Sequence, residues 1–210
     1  ITMIPIAVSA AEYPVMEKYT AASSGDYHKY YNKVVTVTFL DSIDNEDIAS
    51  ADTLYSWDVS AEKDGSVMAW MKNNTEETSL AGADRYDVYI AGEGGVGANP
   101  SSTHIFYLFS QLKEVKGLEN FKTGNATDMS YMFGGCNALE KLDLSSFDTS
   151  SVTKMHSLFR DCKVLSDINI RNWDTSNVTT MAYMFSNCHA LTELDLSSFE
   201  TAKVTNMERM

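Results

Sequence analysis

FKTGNATDMSYMFGGCNALEKLDLSS (121–146), FDTSSVTKMHSLFRDCKVLSDINIRN (147–172), WDTSNVTTMAYMFSNCHALTELDLSS (173–198) and FETAKVTNMERM (199–210) are one phrase written three times and begun a fourth. Cys136, Cys162 and Cys188 stand 26 residues apart. The same step links Phe121, Phe147, Trp173 and Phe199; Thr123, Thr149, Thr175 and Thr201; Met129, Met155, Met181 and Met207; and Phe133, Phe159 and Phe185. A fixed period of about 20–50 residues marks units that bury their apolar faces only against their neighbours. Residues 121–210 therefore predict a solenoid.

Within a repeat, Leu139, Leu142 and Leu144 point one way and Asp143 the other, with counterparts at Leu165, Ile168, Ile170 and at Leu191, Leu194, Leu196. This spacing predicts one short strand per repeat, laid parallel to its equivalents. Met155, Leu158, Phe159 and Cys162 fall at i, i+3, i+4 and i+7, which predicts about two helical turns with that face inward.

Upstream, residues 104–121 form an imperfect repeat. Leu112 and Val115 lie 27 residues before Leu139 and Leu142, Leu118 lies 26 before Leu144, and Phe109 takes the cysteine position. Atypical terminal repeats are what capping requires, so residues 34–120 are read as an N-terminal cap. Its strand signals are KVVTVTFLDS, with Val35, Val37 and Phe39 on one face, and RYDVYIAG, with Tyr86, Val88 and Ile90 on one face. GEGGVGANP lacks the spacing and the lysine of a phosphate loop and reads as a turn. Residues 11–33 are a tyrosine-rich lead-in. Residues 1–10 end in Val8-Ser9-Ala10, the small-residue spacing of a signal-peptidase site, and predict the tail of an export signal. The break in mid-repeat at Met210 predicts a longer array.

The net charge is −13, with 8 Lys/Arg against 18 Asp/Glu in residues 1–120 and 8 against 11 in 121–210. Such a balance disfavours phosphate backbones and anionic lipid. No apolar run approaches the roughly 18 residues of a membrane span. The three cysteines share one repeat position, where stacked side chains point in parallel and suit a disulfide dihedral poorly, so buried free thiols are expected.

The columns resemble the BspA-like leucine-rich-repeat family of bacterial surface proteins. Trp173-Asp174-Thr175-Ser176-Asn177-Val178-Thr179, with Met181, Met184, Phe185, Cys188, Leu191, Leu194, Asp195, Leu196 and Ser197, matches its FDTSNVTxMxxMFxxCxxLxxLDLSx phrase. The resemblance implies an α/β fold, a leucine-rich-repeat solenoid with a parallel sheet, short helices and the N-terminal β-rich cap. It also implies a secreted or cell-surface protein that takes part in adhesion.

The partner-binding candidates are the outward positions of the expected strands: Lys141, Asp167 and Glu193; Asp143, Asn169 and Asp195; Ser145, Arg171 and Ser197. Parallel stacking sets equivalents about 5 Å apart, so these nine side chains tile one polar face for a protein or glycan on a host or neighbouring cell. The alternative is a stalk that displays another domain. Asp143 and Asp195 fall two coils apart with nothing to enclose them, so no enzyme is expected. No cofactor or metal is expected either. His28, His104, His156 and His189 show no metal-ligand spacing and read as surface or loop residues. The acidic loop Asp41, Asp44, Asn45, Glu46, Asp47 lacks the alternation and glycine of an EF-hand. The Asn-x-Thr sequons at Asn73, Asn125 and Asn177 read as repeat grammar.

Overall fold

A computed structural model describes residues 30–75 and 84–210. The expected signal tail, His28 and most of the lead-in lie outside the described residues. The β-branched run Val34–Leu40 forms β1; β2 is Thr53–Asp58, β3 Val67–Asn73, β4 Tyr86–Gly92, β5 Val96–Gly97 and β6 Glu114–Lys116. Five of them make one mixed sheet in the order β2-β3-β4-β1-β6, with β1 parallel to both β4 and β6 and the other pairs antiparallel.

Tyr86, Val88 and Ile90 of β4 are buried together, as their alternation requires. In β1 the register runs from Val34↔Tyr86 to Thr36↔Asp87, so Val35 is an extra residue. Such a bulge shifts the alternation. Val34, rather than Val35, joins Val37 and Phe39 in the main apolar cluster.

Asp44 caps the single helical turn α1, Asn45–Ile48, by accepting from the Glu46 and Asp47 amides at 2.9 and 3.0 Å. Asp47 accepts from the indole of the buried Trp70 at 2.8 Å and pairs with Lys72, which also lies 3.6 Å from Asp52. The loop carboxylates are thus used in tying α1 to β3.

The repeats stack on this sheet through Phe39. Its ring lies 6.2 Å from Phe106 and 4.7 Å from Phe121, and each of these begins a column of aromatic rings. One column is Phe106, Phe133, Phe159 and Phe185, with centroids 5.0, 5.8 and 5.4 Å apart. The other is Phe121, Phe147, Trp173 and Phe199, at 5.9, 6.5 and 6.5 Å. Buried threonines run beside the second column, Thr123, Thr149 and Thr175 donating to the carbonyls of Asp148, Asp174 and Glu200 at 2.9–3.0 Å. The second column follows the 26-residue step throughout, and the first does so from Phe133 onward, Phe106 lying 27 residues before it.

The leucine-rich-repeat solenoid with a parallel sheet and short helices does not form. Among the described residues α1 is the only α-helix, and strand pairing within the repeats is confined to short pieces. β7, Phe121–Lys122, pairs with β5; β8, Lys141–Asp143, pairs in parallel with β9, Asp167–Asn169. Single bridges join Ser101, Asp128, Lys154, Thr180 and Asn206.

The reason lies in where the amides point. Met155, Ser157, Phe159 and Asp161 donate to Thr180, Ala182, Met184 and Ser186 of the next repeat rather than back along a helix. Tyr131, Ser157 and Tyr183 take φ of 60°, 54° and 61°, and Gly135, Asp161 and Asn187 take 77°, 62° and 63°. A left-handed residue every fourth position ends any helix before its first full turn. Met155, Leu158, Phe159 and Cys162 are still buried, but on a chain of turns.

Cys136, Cys162 and Cys188 are free and buried, and their thiols donate to the carbonyls of Phe106, Phe133 and Phe159 at 3.2, 3.1 and 3.0 Å. Burial pushes Cys162 up to about 12 and Cys188 up to about 11. Because the fold favours the neutral thiol, this contribution is complete below the ordinary thiol range and falls as pH rises toward 11 or 12. The native protein should give no fast reaction with a thiol reagent at pH 8. Denaturation without reductant should release three reactive thiols, and fewer than three would reveal a disulfide.

Candidate functional site

The nine candidate residues sit around β8 and β9. Pairing of Lys141 with Asp167, Leu142 with Ile168 and Asp143 with Asn169 turns the middle residues inward and the flanking ones outward. Lys141 Nζ lies 4.0 Å from Asp167, Asn169 donates to Asp143 at 3.0 Å, and Arg171 Nε lies 3.4 Å from Asp195. The amides of Ser145 and Ser197 donate to Asp143 and Asp195 at 2.9 and 3.0 Å. Hydrogen bonds from Ser145, its amide first, hold the Asp143 carboxyl below the usual range. Those from Ser197, its side chain first, do the same for Asp195. Both carboxylates therefore keep their charge into mild acid.

Lys141, Asp143, Asp167, Asn169 and Arg171 line one shallow depression of about 400 Å³, floored by Leu142 and Ile168. Ser145, Glu193, Asp195 and Ser197 stand outside it, and the third equivalent segment, residues 193–195, forms no strand. The face is thus narrower than a three-strand sheet.

A second depression, of about 650 Å³, shares no lining residue with the first. Its floor is Gly134 and Gly135, and its rims are Tyr107 and Leu108 on one side and Arg160 and Asp161 on the other. The signal for it was present in the sequence. Tyr107-Leu108, Gly134-Gly135 and Arg160-Asp161 are equivalent pairs in successive repeats, and the glycines leave a gap between two rows of side chains.

Next to this gap runs a third ladder of rings. His104 stacks on Tyr131 at 4.9 Å, Tyr131 meets His156 at 5.1 Å and His156 meets Tyr183 at 5.6 Å. The Tyr131 hydroxyl and His156 Nε2 are hydrogen-bonded at 3.0 Å. Burial lowers the His104 pKa, opposed in part by Asp128. His104 and His156 are half-buried turn residues and members of this ladder.

Turn-rich 26-residue repeats stacked on a mixed five-stranded sheet, with polar side chains in register on open faces, define a tandem-repeat protein. Residues 103–210 match the family described as "Mycoplasma protein of unknown function, DUF285", and the chain belongs to that family. No curated protein and no solved structure matches it. No helix among the described residues is long and apolar enough to cross a membrane.

Proposed function

We propose that this protein is a non-catalytic interaction module, secreted or held at the cell surface, that binds a protein partner through the polar face around β8 and β9. The observation that carries this reading is the convergence of Lys141, Asp143, Asp167, Asn169 and Arg171 on one depression. Charges of both signs fixed in register suit a complementary protein surface, where they set specificity and encounter rate more than raw affinity. The likeness of the repeats to BspA-like surface proteins supports an extracellular role in adhesion. The family match adds no activity, since that family's function is unknown.

A spacer role is the second reading. The pairs Lys141–Asp167 and Arg171–Asp195 favour it, because they satisfy much of the face internally.

The test is capture on arrays of extracellular-matrix proteins by the native chain and by a variant carrying Lys141→Ala, Arg171→Ala and Asp195→Ala. Exposed ion pairs contribute about 0–1 kcal/mol each, so the melting temperature should hold within a few degrees. A saturable protein ligand that the variant loses supports recognition. Capture that survives the triple change, or silence across the array, supports the spacer.

A further inference from the structure

We infer that the gap over Gly134 and Gly135 is a carbohydrate site that takes a pyranose unit of a neutral glycan. This site stands apart from the β8–β9 face and does not rest on the reading given to it.

The geometry points to a sugar for three reasons. The first is shape. A row of side chains is missing where Gly134-Gly135 replaces the residues carried by the repeats before and after, and the resulting 650 Å³ lies within the range of small-molecule sites, about 300–1,000 Å³. The rim leans over the glycines: a Cβ on Gly134 would lie 3.2 Å from the Tyr107 ring, and one on Gly135 would lie 2.8 Å from Leu108 Cδ2.

The second is the wall chemistry. Tyr107, Tyr131 and the 42% exposed Leu108 offer apolar surface to the C–H face of a sugar ring. Tyr107 is held edge-on to Tyr131 at 5.6 Å, so this surface is pre-organised.

The third is the hydrogen-bonding set. Arg160 Nε lies 3.3 Å from Asp161 Oδ2, near enough for charge pairing, yet its N–H is not directed at that oxygen and makes no hydrogen bond. Asn137 Oδ1 is likewise an acceptor without a donor. Arg160, Asn137, Asp161 and Lys163 line the gap with donors and acceptors, and Arg160 Nε and Asn137 Oδ1, both covered as the side chains now lie, become available to a hydroxyl when these side chains turn to meet it. Arg160 and Lys163 against the single Asp161 disfavour a cation, and the one excess positive charge makes anionic ligands the discriminating controls.

Gly134 is the position to change. Its φ is not among the positive ones, its equivalent in the next repeat is Arg160, and the contact its side chain would meet is a movable ring. Gly134→Arg should fill the gap and leave the fold intact. Asp161→Ala removes a hydroxyl acceptor without filling anything; it also gives up the hydrogen bond from Asn187 at 2.6 Å and places alanine at φ 62°, so it should melt a few degrees lower.

The experiment is saturation-transfer NMR on the full chain with maltotetraose, cellotetraose, chitotetraose and N-acetyllactosamine, with sialyllactose and inorganic phosphate alongside. At least one neutral oligosaccharide should show saturable transfer to its ring protons. Its affinity should fall at least about tenfold in both Gly134→Arg and Asp161→Ala, while Gly134→Arg keeps the native melting temperature and Asp161→Ala stays fully folded at the assay temperature. If Gly134→Arg does not fold, Asp161→Ala alone decides. Silence for all four neutral sugars at millimolar concentration, binding of the anions only, or binding unchanged by the substitutions would overturn the inference.

Discussion

Replacing Phe159 by Ala should lower stability by about 3–5 kcal/mol, the range for truncating a buried aromatic ring. In a chain of this size that corresponds to a melting temperature lower by roughly 6–20 °C. Phe159 is fully buried at the centre of the repeat core. Its ring is stacked on Phe133 at 5.8 Å and 16°, on Phe185 at 5.4 Å and 14°, and on Trp173 at 6.2 Å and 26°, so it ties the two aromatic columns together. Removing it leaves a cavity that stacked backbone on either side cannot close. Phe185 occupies the same column one repeat later but is only partly buried, so Phe185→Ala should cost less. Chemical denaturation of the two variants checks both statements, and an unchanged midpoint for Phe159→Ala would refute the inward face of the column.

Gly117→Ala should be nearly as damaging, at roughly 2–5 kcal/mol, for a different reason. Gly117 follows β6 with φ 66°, a left-handed conformation that disfavours a side chain. A Cβ there would also press on the carbonyl oxygen of Phe39, the residue from which both aromatic columns start. That oxygen is backbone, accepts from Asn120 at 3.2 Å and has no rotamer by which to retreat. Gly65→Ala isolates the two effects. Gly65 has φ 78°, and a methyl group there would meet nothing within 4 Å, so it should show only the conformational cost of roughly 1–2 kcal/mol. Equal losses for the two substitutions would mean that the approach to Phe39 is unimportant.

Much of this arrangement was legible without coordinates. Cys136, Cys162 and Cys188, the threonine column and, from Phe121 onward, both ring columns share one period because each side chain must meet its equivalent in the next repeat. A side chain that packs on its own copy leaves a periodic trace. The alternation at Tyr86, Val88 and Ile90 marked a strand for the same kind of reason. The candidate face was half legible: Lys141, Asp143, Asp167, Asn169 and Arg171 do share one depression, while Ser145, Glu193, Asp195 and Ser197 lie outside it. The gap at Gly134-Gly135 could have been found by comparing the pairs that flank it.

What the sequence determined by itself is the period, the identity of the columns and the side chains that face inward within the repeats, since burial selects side-chain type and stacking repeats it. What only the tertiary structure decided is the path of the backbone. Met155, Leu158, Phe159 and Cys162 satisfy helical spacing, yet the amides of Met155, Ser157, Phe159 and Asp161 find their acceptors in the following repeat. Those carbonyls exist in the right place only once the neighbour has stacked. Ser157 and Asp161 accept left-handed backbone because the same stacking satisfies their amides. Likewise the parallel pairing of β1 with β4 and β6, and the bulge that puts Val34 in the core, depend on partners distant in the chain. Side-chain periodicity records which way a residue faces; the destination of each N–H is set by whatever carbonyl the assembled fold brings to it.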